Sequence, residues 1–309
     1  MKKTIFFGLG LLALTIGACD KIEDPIKPAV LLDTTLYPGN WDDYVYPTFT
    51  QNTNTNRNII LEDYTGHRCP NCPAAAAIAE NIEAANAERV YIASIHTGPG
   101  GLTGFQILKP DCGTGSNPNN EFCTVFYNNE SIAYGAAFQT GYGFFGNPQG
   151  TINRITFDGA NMFQFSSDWQ TKVDEVLAAN DLKVNLQAQA NYYPETNGMY
   201  LHVETEFLED LSGDEYNMVV YMLENEVVDF QDNGGTIVDD YEHHNIFRGC
   251  IDGLPWGRTV SGTHVAGEKT YYNYSYKFPT GQTNTDYHML IYVYNVNTFE
   301  ILQAIKYEF

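Results

Sequence analysis

Ile59-Ile60-Leu61-Glu62-Asp63-Tyr64-Thr65-Gly66-His67-Arg68-Cys69-Pro70-Asn71-Cys72-Pro73-Ala74-Ala75-Ala76-Ala77-Ile78-Ala79-Glu80 decides how this chain reads. Its opening residues are apolar and predict a strand. From Pro73 on, a run of alanines predicts a helix, with proline tolerated in the first turn. Between the two stand Cys69 and Cys72, separated by two residues. A cysteine at the first turn of a helix feels unsatisfied N–H groups and the positive end of the dipole, and both favour thiolate over thiol. Only the thiolate attacks a disulfide, and a second cysteine three positions on can resolve the mixed disulfide that results.

Strand, C-x-x-C and helix in that order form the setting in which this motif reads as a thiol–disulfide site of the thioredoxin type. The spacing alone also fits half a zinc site or a structural disulfide. Zinc needs a second Cys or His pair at suitable spacing, and the only His pair, His243-His244, is adjacent and far along the chain. The acidic group Asp229, Asp232, Asp239, Asp240 and Glu242 around Gly234-Gly235 lacks EF-hand spacing and reads as a solvated loop. His96, at the end of an expected second strand, is a lone histidine. No metal site and no cofactor are expected; the structural disulfide stays open.

The N-terminus speaks for export. Lys2 and Lys3 precede an apolar stretch, Ile5 to Ile16, of 12 residues, too short to span a bilayer. It closes in Ile16-Gly17-Ala18-Cys19, which resembles the bacterial lipobox. In that reading residues 1–18 are a signal peptide, and Cys19 becomes the lipidated N-terminus. Several acyl chains anchor a protein stably without a transmembrane helix. The mature protein is therefore expected to be exported and tethered at the cell envelope, with its face left open.

The net charge is −22, and removal of residues 1–18 takes away two lysines and no acid. Such a charge argues against nucleic acid as a partner. With 43% hydrophobic residues, 22 Tyr and 18 Phe, the chain can bury substantial cores. A mature length of about 290 residues predicts two domains. Cys112 and Cys123 flank a Gly/Asn/Pro-rich loop that closes easily, so outside the cytoplasm they are expected to pair. Cys250 is left over, as a buried thiol or a site of intermolecular pairing.

Residues 19–57 read as a polar, irregular tether. Residues 58–180 form the first, α/β domain. Val90–Ile95 is its second strand, residues 97–145 a glycine-rich insertion with a helix around Ser131 to Phe138, and Thr151–Ile155 a further strand. Ser167-Asp168-Trp169-Gln170 has a capping-box pattern that opens a helix to about Ala179. From residue 181 to 309 the pattern changes. Leu182–Ala190, Met199–Phe207, Tyr216–Leu223, Thr270–Phe278, Tyr287–Tyr294 and Glu300–Tyr307 alternate or run apolar between turn residues, the pattern of an antiparallel β-sandwich.

Leu61 to Pro73 resembles the motif of the 28-kilodalton outer-membrane lipoprotein family of Gram-negative bacteria. Pro148 with Ile152-Asn153-Arg154 resembles that family's second motif, and His244-Asn245-Ile246-Phe247-Arg248-Gly249 with Trp256-Gly257 its C-terminal part. The resemblance implies a thioredoxin-like domain followed by an immunoglobulin-like sandwich. Comparison with thioredoxin adds roles. Asp63, six residues before Cys69, matches a buried acid that serves the resolving cysteine as proton acceptor. Pro148 matches a cis-proline that faces the cysteines and helps dock a substrate strand. His67 and Arg68 would lend positive charge to a Cys69 thiolate. The tryptophan that thioredoxins carry before the first cysteine is missing, and the 97–145 insertion has no counterpart there.

Two functions follow. In one, Cys69 attacks, Cys72 resolves, Asp63 relays protons and Pro148 docks protein substrates. In the other, the protein is a surface binding or adhesion lipoprotein, with the thioredoxin-like part as a scaffold without turnover. Exposure of Cys69 discriminates between them.

Overall fold

The computed structural model describes residues 32–157, 159 and 161–309. Cys19 and the expected signal peptide lie outside the described residues. Among those described, no helix is long and apolar enough to cross a membrane.

β1 (Ile59–Thr65) leads through the cysteine motif into α1 (Cys72–Ala85) and back to β2 (Val90–His96), which lies parallel to β1. Then come α2 (Asn129–Phe138), β3 (Gln149–Ile152), β4 (Phe163–Gln164) and α3 (Trp169–Ala179). β5 (Val184–Tyr193), β6 (Gly198–Phe207), β7 (Tyr216–Asn233), β8 (Thr236–Cys250), β9 (Arg258–Thr259), β10 (Lys269–Lys277), β11 (Tyr287–Asn295) and β12 (Ile301–Tyr307) complete the chain. The result is a β-rich fold on a mixed sheet. Nine strands join in one sheet in the order β12-β11-β7-β8-β2-β1-β3-β4, with β9 beside β7; the other three form a second sheet, β10-β6-β5.

The large sheet does not stop at residue 180. β8 lies parallel to β2, with Ser94 opposite Ile246, so strands from both halves of the chain share it. Alternation explains how one sheet serves two cores. On β11, Met289, Ile291 and Val293 face the three-stranded sheet, while Leu290, Tyr292 and Tyr294 face the other way, toward α2. On β7, Met218, Val220 and Met222 take the first side, Val219, Tyr221 and Leu223 the second. A third core, with Ile59, Leu61, Ala75, Ala79 and Trp169, lies under α1 and α3. Small alanines let α1 sit close to β1 and β2.

Three local expectations need correction. The capping box at Ser167 does not form: Asp168 occupies the N-cap without a side-chain bond. Instead, the fully buried Trp169 donates from Nε1 to the Gln164 carbonyl at 3.1 Å and fixes the start of α3. Residues 32–57 are not a free tether. Their backbone is irregular beyond two short 3-10 turns, yet amide side chains bind it along β5: Gln189 and Gln187 donate to the carbonyls of Thr48 and Thr50 at 2.9 and 2.8 Å, and Asn52 donates to that of Leu186 at 2.8 Å. Polar residues that look like disorder in sequence here satisfy and shield a sheet edge. Finally, the acidic segment 229–242 is no loop but part of the β7–β8 hairpin. It turns at Gly234 and Gly235, whose φ of 64° and 89° are the left-handed values a two-residue hairpin needs.

A buried ion pair ties the halves together. Glu62 on β1 and Arg154, just past β3, are both wholly buried. Arg154 donates from Nε to Glu62 Oε2 at 2.9 Å and from Nη2 to Glu62 Oε1 at 2.7 Å, and also to the Tyr221 hydroxyl of β7 at 2.6 Å. Tyr221 and Thr151 donate their hydroxyls to the same carboxylate at 2.9 and 2.8 Å. Rings of Tyr134, Phe138 and Tyr292 lie 5.0–5.6 Å from the guanidinium carbon. Burial by itself would raise the Glu62 pKa, but the Arg154 charge and the hydrogen bonds outweigh it and hold the carboxyl below its ordinary value. Removing one partner strands the other charge in the core. Arg154→Met is therefore expected to destabilise the protein by about 3–5 kcal/mol, and adding Glu62→Gln should restore part of that loss. Urea unfolding of the two variants checks this; a Glu62→Gln change that adds its full cost on top would show that the pair is not coupled.

Candidate functional site around Cys69 and Cys72

Cys69 and Cys72 form a disulfide, with Cα atoms 5.4 Å apart. Cys112 and Cys123 form another, inside the insertion, and Cys250 is a free, buried thiol whose sulfur lies 3.6 Å from the Tyr134 hydroxyl. Burial pushes the Cys250 thiol well above its ordinary pKa, so it is a poor nucleophile.

Exposure of Cys69 is the feature on which the two functional readings divide, and Cys69 is 1% exposed and Cys72 2%. Two elements cover them. On one side the tip of the β7–β8 hairpin pairs with the backbone of the motif. Gln231 Nε2 donates to the Cys69 carbonyl at 3.1 Å, the Asp232 amide to that of His67 at 2.9 Å, and the Gly234 amide to that of Pro70 at 2.9 Å. On the other side lies the insertion. The Arg68 amide donates to the Phe105 carbonyl at 3.0 Å, and Gln106 donates from Nε2 to the Thr65 carbonyl at 2.7 Å. Gly66 permits this contact, because a Cβ there would lie 2.7 Å from the Phe105 oxygen. Thr124 of the insertion donates its hydroxyl to Asp229 of β7, so the two covers are also joined to each other.

The Asn147–Pro148 peptide bond is cis, in the loop before β3. Asn147 donates from Nδ2 to the carbonyls of Tyr64 and Thr97 at 2.7 and 2.9 Å, which places Pro148 beside the chain leading into the cysteines.

Asp63 follows Glu62 on β1 and points to the opposite face. It is 1% exposed, and its Oδ1 has no hydrogen-bond partner among the described residues. Burial, with Glu80 adding like charge, raises its pKa from 3.8 to about 7. It lines a cavity of about 30 Å³ with Cys72, Ser94, His96, Gln231 and His243, room for a water or two.

His67 does not play the part expected of it. Buried against Phe122 and Phe126, with ring centroids 5.4 and 5.5 Å away, it has its pKa lowered to about 4 by burial, and Arg68 nearby adds to the effect. It is neutral at physiological pH and lends no charge to a thiolate. His96 and His243 pack on the same Phe126 ring, at 4.7 and 4.5 Å. They are neutral for the same reason, burial first. Arg68 is half-buried and donates from Nη1 to the Ile107 carbonyl at 3.3 Å.

Gln231, Asp232 and His243, which shape this site, were not singled out for it from the sequence. The signal that could have found them was Gly234-Gly235, a two-residue turn between segments that can pair.

A family model described as outer membrane protein Omp28 matches residues 135–307. The chain belongs to this family. Membership in the Omp28 family places it in the outer membrane of the cell envelope. A search of curated proteins finds no match. Among solved structures, HBP35 of Porphyromonas gingivalis is similar at 17% identity and a TM-score of 0.60, over 81% of this chain and 74% of that one. A protein of Agrobacterium tumefaciens is similar at 12% identity and a TM-score of 0.50, over 84% and 96%. A domain of the Omp28 lipoprotein of Porphyromonas gingivalis aligns with 41% of this chain and 88% of its own length, at 24% identity and a TM-score of 0.28. The first two likenesses concern the fold alone.

Asp63 gives this Omp28 member a testable pH dependence. The folded chain keeps the acid protonated up to about pH 7, whereas the unfolded chain releases its proton near 3.8. The contribution of Asp63 to stability is thus fully present below pH 3.8 and is lost as pH rises toward 7. Asp63→Asn removes this decline. Its stability relative to wild type is expected to climb between pH 4 and 7 by on the order of a few kcal/mol. Denaturant unfolding at three pH values checks it; a difference that stays flat would mean that Asp63 titrates as an ordinary carboxylate.

Proposed function

We propose that this protein is a lipid-anchored thiol–disulfide oxidoreductase of the outer membrane, whose C-x-x-C site is closed at rest by its own β7–β8 hairpin. In this reading residues 58–180 are a thioredoxin-like domain with the insertion at 97–145, and residues 181–309 an immunoglobulin-like sandwich. The parallel β1–α1–β2 unit with Cys72 as the first residue of α1, and the cis-proline ahead of a strand antiparallel to β1, support the first assignment.

The observation that carries the proposal is Asp63. A buried carboxyl with an unpartnered oxygen costs stability and gives the core nothing. Beside Cys72, with a pKa near 7, it suits proton exchange with the inner thiol. A substrate thiolate attacks Cys69 Sγ. The Cys69–Cys72 bond breaks, and the Cys72 thiolate takes the Asp63 proton. A second substrate thiolate then attacks the substrate sulfur of the mixed disulfide and releases Cys69 as thiolate. The substrate dithiol loses two electrons to the Cys69/Cys72 pair. The reverse sequence reduces a substrate disulfide, with Cys69 as nucleophile, Cys72 as resolving thiol and Asp63 as base. Pro148, in the loop beside the motif, docks the substrate.

The burial of both sulfurs favours a second reading, in which the disulfide only fastens the start of α1 and the sandwich binds surface ligands. The two readings separate in cells. Under the first, Cys72→Ser should capture partner proteins through Cys69, and Cys69→Ser should capture none. Gln231→Ala, which removes hairpin bonds from the motif, should speed reduction of Cys69–Cys72 by a small thiol. Exported protein that captures no partner as Cys72→Ser, and whose disulfide resists reduction equally with and without Gln231, would decide for the second reading.

The lipid anchor is tested separately. Cys19→Ala is expected to leave the protein unprocessed or soluble, as read by membrane fractionation. A variant that is processed and sediments with membranes as before would refute the anchor.

A further inference from the structure

We infer that Glu226, Glu242 and His244 form a binding site for a first-row divalent transition ion, zinc being the probe of choice, on the β7–β8 hairpin at the mouth of the C-x-x-C cavity. The inference goes beyond the redox reading and does not depend on it.

The three residues are brought together by strand register. Glu226 of β7 pairs across the ladder with His244 of β8, and Val228, two residues on from Glu226, pairs with Glu242. Residues two apart share a face of a strand, so Glu226, Glu242 and His244 fall on one face of the hairpin. One ligand atom from each lies within 4.8 Å of the other two. That is the separation at which a single ion can bridge donors about 2.0–2.2 Å from itself. His244 Nε2 stands 3.9 Å from Glu242 Oε2.

Nothing else compensates the charge. Among the described residues, neither Glu226 nor Glu242 has a lysine or arginine in ion-pair distance, and the histidine beside Glu242 is the only basic group it meets. Glu226 and Glu242 are diagonal neighbours across the ladder, where like charges repel, and a cation between them turns the repulsion into attraction. The surroundings are acidic as well: Glu80 and Asp240 line the same surface hollow as Glu242 and His244. The chain's charge of −22 raises the local concentration of any cation.

An independent observation lies behind the trio. Glu242 and His244 also line the cavity that holds Asp63, Cys72, His96 and His243. Three of these buried side chains present unsatisfied atoms: Asp63 Oδ1, His96 Nδ1 and His243 Nε2 have no hydrogen-bond partner among the described residues. Native cores rarely leave such atoms unpaired without a reason. His243, between Glu242 and His244 on β8, points to the opposite face, but Asp63 and His96 share the cavity with Glu242 and His244, and their free atoms can bond waters carried by an ion with open coordination positions.

The donor set chooses the metal class. One imidazole with two carboxylates suits zinc and its first-row neighbours; calcium and magnesium prefer all-oxygen cages. Sequence spacing shows none of this, because Glu226 and the Glu242/His244 pair are separated by a hairpin turn.

The experiment is a calorimetric titration of the full-length disulfide-bonded protein with zinc chloride, at pH 7.5, in the presence of millimolar calcium. One zinc per chain is expected, bound in the micromolar range and unaffected by calcium. His244→Gln and Glu242→Gln, both at solvent-accessible positions, should each weaken binding by about tenfold or more. Glu195→Gln, at an exposed turn far along the chain, should leave it unchanged. Circular dichroism of each variant confirms that the fold is intact. Binding that calcium displaces, that survives His244→Gln, or that first appears at millimolar zinc would overturn the site.

Discussion

The bonding of Arg154 to Glu62 is the constraint on which the rest of the structure depends. It stands where three segments meet: β1 supplies the carboxylate, the turn after β3 the guanidinium, and β7 the tyrosine that touches both. Asn153 and Arg154 are held in left-handed backbone conformation, with φ of 47° and 51°. Asn153 offsets part of that strain by accepting from the Ile60 amide at 2.8 Å through its side chain. A charge pair without water is tolerated only when every lone pair and proton is answered. Here hydroxyls and ring faces answer nearly all of them, and they come from β3, β7, β11 and α2.

The same pair sets the chemistry on the other face of β1. Because side chains alternate, fixing Glu62 toward the aromatic core obliges Asp63 to face α1 and the cysteines. Neighbours in sequence thus meet opposite environments. Glu62 finds a cation and stays ionised; Asp63 is buried with no cation beside it and with Glu80 nearby, and holds its proton to about pH 7. Two carboxyls with pKa values driven apart by surroundings are a recurring sign of assigned proton roles. Separation by a single peptide unit gives this division at the smallest possible distance.

Much of this was legible in the chain. β1, α1 and β2 follow from local signals: an isoleucine-rich run, an alanine run after proline, a second apolar run. β5, β6, β10, β11 and β12 follow from alternation, and the Cys112–Cys123 pairing from its loop and compartment. What escaped was held by polar contacts or by packing across long stretches of sequence. The outer part of the β7–β8 hairpin leaves most side chains exposed, so no apolar periodicity marks it, and Asp229, Asp232, Asp239, Asp240 and Glu242 read as solvent-facing coil. Residues 48–57 hold to β5 through amide side chains, an interaction with no compositional signature distinct from disorder. The neutrality of His67 depends on Phe122 and Phe126, which arrive from more than fifty residues away in an insertion no local rule could orient.

The single sheet has a consequence for how the protein comes apart. A chain of beads, each with a private core, melts bead by bead. Here β8 is hydrogen-bonded partner to β2, and Tyr221 is a ligand of the charge pair in the other half. Neither half can lose its order without exposing an edge strand and an unanswered charge in its neighbour. The described residues are accordingly one cooperative unit, and heating should register one endotherm whose van't Hoff and calorimetric enthalpies agree. Gene fragments cut near residue 180 would each keep a core of their own but lose their share of the aromatic core around Arg154, so new specificities in this architecture are more readily gained by altering loops and hairpins than by exchanging modules.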